Sequence, residues 1–259
     1  MLNQQIKPGL RVLVTAGGSG IGRVIAECLA ASHARVHICD IDEQLVTECQ
    51  LNIPSLSVSR ADVSSEAEVQ RMFEDVRAAL GGLDVLVNNA GIAGPTGGVE
   101  EITPADWQRT IDVNLNGAFY CTHLAVPLLR RAENGLIINI SSVAGRLGFA
   151  DRTPYAATKW ALVGLTQSLA KELGPSGIRV NAILPGIVEG PRITRVIQAR
   201  AEHLHVSYAE AEKEAIAKVS LRRMVSAQDV AAMVLFLCSE AARNISGQSL
   251  SVCGNVESL

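Results

Sequence analysis

Ser142, Tyr155 and Lys159 stand 13 and 4 positions apart in the chain. On a helix, residues four apart share a face, which places the phenol beside the ammonium. A tyrosine alone is a poor base near neutrality, because its reference pKa is about 10. A neighbouring ammonium favours the phenolate and draws that pKa toward the working pH. A serine hydroxyl beside the pair can hold a substrate oxygen. The chemistry open to this trio is proton transfer to or from an alcohol oxygen.

A second group of residues offers a seat for an anion. Thr15-Ala-Gly-Gly-Ser-Gly-Ile-Gly22 follows an apolar run and precedes a helical pattern. In such a turn Gly17, Gly18, Ser19, Gly20 and Ile21 present backbone N–H groups to a pyrophosphate, and the helix N-terminus adds a favourable dipole. Asp40 closes the next strand, 18 positions after Gly22. Its carboxylate can accept both ribose hydroxyls and repels a 2′-phosphate, and Ile41-Asp42-Glu43 supply no Arg or Lys to receive one. The alternative role for Asp40 is to cap the helix that follows. The reading is a dinucleotide site that takes NAD. The nicotinamide carries the hydride chemistry and needs little from the protein beyond a proton shuttle. Asp62-Val63 ends the third strand, within reach of the adenine. Asn88-Asn-Ala-Gly91 ends the fourth: Asn89, Ala90 and Gly91 let a cofactor lie close to the backbone, and Asn88 ties neighbouring strands.

These groups need elements to position them. Strand-like runs occur at Val12–Thr15, Arg35–Cys39, Leu56–Ser59, Leu83–Val87, Leu136–Ile140, Arg179–Ile183 and Ser249–Val252. Helical segments alternate with them at Gly20–Ala31, Glu43–Gln50, Ser65–Leu80, Pro104–Arg131, Pro154–Leu173, Ile193–Lys218 and Ala227–Leu237. The strands are nearly all apolar rather than alternating, which suits parallel strands covered on both faces. The pattern predicts an α/β fold, a doubly wound (Rossmann) seven-stranded parallel sheet with helices on both faces. A single domain spans residues 1–259, with a helical lid around residues 190–220. Sheets of this kind bind ligands beyond the carboxyl ends of their strands.

Composition narrows the function. The 259 residues are 48% apolar and 19% charged, which fits one large domain better than two small ones. A formal net charge of -3 gives no electrostatic argument for nucleic acid or an anionic membrane. No apolar run reaches the roughly 18 residues of a spanning helix. The N-terminus shows no signal-peptide pattern, so a cytoplasmic protein is expected. None of the six cysteines forms a C-x-x-C pair, and they read as reduced, small hydrophobes rather than metal ligands. His203 and His205 read as a solvated lid face, and Trp107 and Trp160 as packing residues.

Thr15–Gly22, Asn88–Gly91, Asn114 in Val113-Asn-Leu-Asn-Gly117, Ser142, Tyr155-Ala-Ala-Thr-Lys159 and Pro185-Gly186 together resemble the short-chain dehydrogenase/reductase family over nearly the whole chain. The resemblance implies a catalytic tetrad. Ser142 orients the substrate and Tyr155 transfers the proton. Lys159 lowers the tyrosine pKa and holds the nicotinamide ribose, and Asn114 holds a water for a proton relay. Backbone at Pro185, Gly186 and Val188 would fix the carboxamide. The family implies an NAD-dependent interconversion of secondary alcohol and ketone, no metal, and a homotetramer. Three departures stand out: Ala16 replaces the first glycine of the phosphate turn, Gly190 replaces a threonine that often holds the nicotinamide, and Val252-Cys-Gly-Asn255 replaces a Val-Asp-Gly-Gly ending. An NADP-dependent 3-oxoacyl reductase is the alternative, opposed by Asp40. A non-catalytic nucleotide-sensing scaffold is opposed by the retention of both Tyr155 and Lys159.

Four arginines fall where the family places its substrate loops: Arg146, Arg152, Arg192 and Arg195. Of these, Arg152 and Arg192 are expected at the substrate. Guanidinium forks suit carboxylate or phosphate, so a small, polar, anionic alcohol such as a hydroxy acid or sugar derivative is expected.

Overall fold

A computed structural model describes residues 6–256. The terminal residues 1–5 and 257–259 of the domain read from the sequence lie outside the described residues, as does the start of the stretch read for a leader. Seven strands form one parallel sheet: β1 (Arg11–Thr15), β2 (Arg35–Asp40), β3 (Ser57–Arg60), β4 (Val85–Asn88), β5 (Leu136–Ile140), β6 (Arg179–Pro185) and β7 (Ser249–Val252). Their order across the sheet is β3-β2-β1-β4-β5-β6-β7. The chain therefore builds outward from β1 to β3 and then returns to lay β4 on the other side of β1. Val12 pairs with Val36 on one side and Val85 on the other. That reversal opens a crevice at the carboxyl ends of β1 and β4, where ligands of such sheets bind.

Period-two alternation sorts the strand residues into two cores. Val12, Val14, Val36 and Ile38 face a layer with Ile25 and Leu29 of α1 (Gly20–Ala31) and with Val230, Val234 and Leu237 of α9 (Ala227–Cys238). Leu13, Leu86 and Ile137 face the opposite layer. There they meet Phe73 and Val76 of α3 (Glu66–Leu80) and Ala125 and Leu129 of α5 (Gly117–Leu129). Each such fully buried large side chain contributes about 1.5–3 kcal/mol. The layered α/β fold read from the sequence is the observed one.

Two segments differ from expectation. The segment 104–131 is not one regular helix: α4 (Pro104–Ile111) and α5 are joined by a π-helical turn at Asp112–Asn116. Turns of this kind insert one extra residue per turn and gather at functional sites. The segment 193–218 is two helices, α7 (Pro191–Leu204) and α8 (Tyr208–Ala217). They are joined through His205, in the left-handed region at φ 55. The remaining helices are α2 (Glu43–Asn52) and α6 (Thr153–Leu173). Trp107 and Trp160 do not pack inside the protomer. They are 40% and 51% exposed, on α4 and α6. Among the described residues no helix is long and apolar enough to cross a membrane.

Candidate active site

Helix α6 carries Tyr155 and Lys159 in its first two turns, and buried polar ties hold it to the sheet. Asn139 of β5 donates from Nδ2 to Thr166 Oγ1 at 2.9 Å. The Ser141 hydroxyl donates to the Lys159 carbonyl at 2.8 Å. Lys159 Nζ donates to the Ile140 carbonyl at 2.8 Å, with the side chain buried. Ser142 begins a short 3₁₀ turn, and its Oγ accepts from Ala144 N at 3.1 Å. The π turn brings Asn114 inward to complete burial. Its Oδ1 accepts from Ile92 N at 2.7 Å, while Nδ2 donates to the Ile92 carbonyl and to Thr158 Oγ1, both at 3.1 Å. Thr158 Oγ1 in turn donates to the Tyr155 carbonyl at 2.8 Å. With both amide protons committed, one Oδ1 lone pair remains for a water.

Electrostatics single out the phenol. Burial alone would raise the pKa of Tyr155. Burial is the largest single influence, but Lys159, Arg192, the Ser142 hydroxyl and Arg152 together outweigh it, so the tyrosine titrates below its ordinary value. Lys159 Nζ lies 5.7 Å from the Tyr155 ring centre. Burial pushes the lysine down to about 8, against the pull of Tyr155. A pair whose environment moves both values toward the working range can hand over a proton.

The crevice between β1 and β4 has the form of a dinucleotide cradle. A Cβ on Gly22 would come within 2.1 Å of the Ala16 carbonyl, and one on Gly17 within 2.7 Å of Ile38. Gly20, at φ +52, faces open space. Ser19 makes no side-chain cap and the first turn of α1 holds no acid, so its N–H groups are free for an anion. By contrast α2, α3 and α4 are capped by Asp42, Ser65 and Thr103. Ala16 adopts φ 49, a left-handed conformation that glycine takes without cost and alanine does not. The substitution is thus felt in the backbone rather than in contact space. Thr15, which the motif reading passed over, braces the loop: its Oγ1 accepts from Asn89 N and Ala90 N, both at 3.0 Å. Asn89 Nδ2 donates to the Thr15 and Ala16 carbonyls.

Asp40 is 7% exposed and stands at this loop. Oδ2 accepts from Gly18 N at 3.1 Å and Oδ1 from Asp42 N at 3.2 Å. The cap of α2 is Asp42, so Asp40 is not the capping residue. Arg60, opposite Asp40 in register, is committed to Glu68 at 2.6 Å. Asp62 lies beyond β3 and accepts from Ser64 N and Ser64 Oγ. Burial raises its pKa, but these bonds and Arg109 outweigh it and hold the carboxyl low. Val63 packs its side chain and its carbonyl against Gly117. Gly91 joins the two halves: a Cβ there would lie 3.2 Å from Asn114 Oδ1 and 3.5 Å from Lys159 Nζ. Asn88 bonds to Asn139 Oδ1 and Thr122 Oγ1, the strand tie expected of it.

Beyond β6, Gly186 N donates to the Val252 carbonyl, and a Cβ on Gly186 would meet Cys253 at 2.8 Å. The departing C-terminal motif therefore buttresses the segment that includes Pro185 and Gly186. Val188 forms a bridge with Val225. Gly190 takes φ +135, a conformation that L side chains rarely adopt. The threonine that the family resemblance leads one to expect could not sit there unchanged.

The arginines do not all follow the reading from sequence. Arg146 turns away to Ser249 and Ser251. Arg152 is 4% exposed, its Nη2 donates to the Ala93 carbonyl at 2.7 Å, and its guanidinium lies 5.1 Å from the Tyr155 ring. Arg192, on α7, donates to the Gly91 carbonyl at 3.0 Å and lies 5.9 Å from the same ring. His203 approaches Asp151 at 3.9 Å. A cleft lies at the amino ends of the strands, around the Arg11–Asp84 pair. That is the end opposite the crevice, where such sheets do not bind ligands.

A family model described as "Enoyl-(Acyl carrier protein) reductase" matches residues 15–255. The chain is 34% identical over 232 residues to a 2-dehydro-3-deoxy-L-rhamnonate dehydrogenase (NAD(+)) of Sphingomonas sp. (strain SKA58), covering 90% of this chain and 89% of that protein. It is 33% identical to a D-beta-hydroxybutyrate dehydrogenase of Cupriavidus necator, covering 92% of this chain and 94% of that one. In structure it is similar to a variant of actinorhodin polyketide ketoreductase with NADPH. The TM-score is 0.91 at 32% identity, with full coverage of both chains. The chain belongs to the short-chain dehydrogenase/reductase family, and is an oxidoreductase that acts on the CH–OH group of secondary alcohols or the corresponding ketones with a nicotinamide cofactor.

Proposed function

We propose that the protein is an NAD-dependent dehydrogenase of a small, polar secondary alcohol, with Tyr155 as its acid/base. The observation that carries this reading is the phenol of Tyr155 held above buried Lys159 and titrating below its ordinary value. In oxidation Tyr155 takes the hydroxyl proton, Ser142 holds the oxygen, and Lys159 keeps the phenolate available. NAD, when bound, accepts the hydride. Gly17, Gly18, Ser19, Gly20 and Ile21 would receive the pyrophosphate, and Pro185, Gly186 and Val188 the carboxamide. Asp62, Val63, Asn89, Ala90 and Gly91 would line the cofactor, and Asn114 would hold the relay water.

The choice of NAD rests on Asp40, whose carboxylate keeps lone pairs for the ribose hydroxyls and repels a 2′-phosphate. Arg60 opposite is already neutralised by Glu68. Helices α7 and α8 would act as the lid that excludes water.

The test is a panel of secondary alcohols with NAD, followed by NADH absorbance, on wild type and Tyr155→Phe. Loss of the proton shuttle should cut turnover by about 10²–10⁴-fold while NADH affinity changes little. A variant that keeps half the wild-type turnover would refute the mechanism.

A further inference from the structure

Three cations face one aromatic ring. The Arg152 guanidinium carbon lies 5.1 Å from the Tyr155 centroid, Lys159 Nζ 5.7 Å and the Arg192 guanidinium carbon 5.9 Å. Among the described residues none of the three pairs with a carboxylate. The Tyr155 phenolate can balance one of them. The oxidised nicotinamide of the proposed reaction adds a further positive ring. Two of the three side-chain charges are therefore left without an anion, before the nicotinamide ring is counted.

At Arg152 the surplus is not a solvated one, although Arg192 is exposed. Arg152 is buried, sandwiched between Phe149 at 5.2 Å and Tyr155. Of its five N–H groups, protein accepts one: Nη2 donates to the Ala93 carbonyl at 2.7 Å. Nε is buried and has no partner. A lysine so placed can shed its proton, as Lys159 partly does, but a guanidinium stays charged. Burying such a charge with open donors is costly unless an anion completes it. Cation–π contact with two rings offsets part of that cost and leaves the N–H fork unfilled.

Arg192 supplies the second arm. It sits at the start of α7 and donates to the Gly91 carbonyl at 3.0 Å, two residues from the carbonyl that Arg152 holds. The loop after β4 thus holds both guanidinium groups beside Tyr155, one from the start of α6 and one from the start of α7.

We infer that Arg152 and Arg192 form an anion clamp that binds the carboxylate of an α- or β-hydroxy acid, with its carbinol oxygen at Tyr155. The proposal rests on the alcohol-dehydrogenase reading above and narrows its substrate class. Both guanidinium groups approach the same ring that bears the reacting hydroxyl, so the acid group must lie close to the carbinol carbon. A long-chain acid would place its carboxylate elsewhere. Because Arg192 rides on α7, filling the clamp also seats the lid.

The test compares lactate and 3-hydroxybutyrate, in both hydroxyl configurations, each against its neutral amide, with NAD. Wild type should favour the better acid over its amide by about tenfold or more in kcat/KM. Arg192→Met, at a position exposed in the unliganded protein, should raise KM for the acid by about thirtyfold, the effect of truncating one partner of a charge pair that the seated lid desolvates. KM for the amide should change less than twofold, while kcat falls alike for acid and amide because Tyr155 loses a neighbouring cation. Arg152→Met should do the same where its melting curve shows a folded protein. Arginines that only tuned Tyr155 would lower kcat for acid and amide alike, with no selective change in KM, and that outcome overturns the clamp. So does a wild type that prefers the amides, or acid KM values unchanged in both folded variants, and either leaves the dehydrogenase reading intact.

A second readout needs no turnover. The non-reducible anions oxamate and malonate should raise the melting temperature of the NADH-loaded wild type but not that of Arg192→Met. If no alcohol on any panel yields NADH, the dehydrogenase reading fails, and this shift alone decides the clamp. Its absence overturns the clamp, and its presence in wild type only sustains it.

Discussion

Lys159→Met should abolish most activity and yet make the protein more stable. The lysine is buried, with one hydrogen bond to the Ile140 carbonyl, and burial holds its pKa at about 8 against an ordinary 10.5. The folded value lies below the unfolded one, so between pH 8 and 10.5 the unfolded chain binds more protons. Native stability then rises with pH across that window, and the penalty of charging Lys159 is fully present below pH 8. The interval from 10.5 to about 8 corresponds to about 3 kcal/mol at pH 7. Methionine is similar in volume and apolar, so it removes this penalty, but it strips the Ile140 carbonyl of its donor at a cost of about 1 kcal/mol. The net gain is about 2 kcal/mol, or roughly 4–8 °C in Tm for a chain of this size. The assay is urea and thermal unfolding of the unliganded protein, at matched protomer concentration, at pH 7 and pH 10. The gain should be present at pH 7 and nearly gone at pH 10, with turnover down by about 10²-fold or more and its rising pH limb moved upward. A variant less stable than wild type at pH 7, or a difference that ignores pH, would show that burial does not oppose the ammonium.

Two further outcomes are expected. Asp40→Ala should lose NAD affinity and shift the ratio of kcat/KM values toward NADP by about tenfold or more, because a repulsive carboxylate is gone; an unchanged ratio would show that Asp40 does not read the ribose. The exposed Trp107, Phe119 and Trp160 lie on α4, α5 and α6, where an apolar surface of this kind marks an interface. Light scattering at micromolar concentration should therefore give four times the 27.4 kDa protomer, and a mass near one protomer would refute the homotetramer.

The layers and the strand positions were legible because each rests on local pattern. Apolar runs bounded by Gly, Asp and Asn place the strands to within a residue or two. Tyr155 and Lys159 share a face whatever the tertiary context. The π turn was not legible, since an extra residue in a helical pattern leaves no period of its own; only the polar Asn114 amid an apolar stretch hints that something turns inward. The fate of Arg152 was hidden for a different reason. Whether an arginine three residues before a helical tyrosine faces water or a second aromatic ring depends on where Phe149 and Ala93 lie, and those come from separate loops. Trp107 and Trp160 misled because a tryptophan is usually mostly buried, and burial against another copy of the chain leaves the same signature in one sequence.

The residues that sequence reading passed over are those that hold the chemical groups still. Thr15, Asn139, Ser141, Thr158 and Thr166 are all buried, and each bridges two separate elements of the site. Each bond contributes about 0.5–1.5 kcal/mol net, but removing one partner strands the other at the full cost of desolvation. That asymmetry explains why polar side chains occupy positions that valine or alanine would fill in a purely structural sheet. Lys159 and Arg152 work against folding, because each buries a charge that no carboxylate neutralises. The Asn139–Thr166 and Ser141–Lys159 ties meet that opposition where it acts, at the junction of β5 and α6. Ties of this kind let the fold carry Lys159 and Arg152, neither paired with a carboxylate among the described residues, beside one phenol.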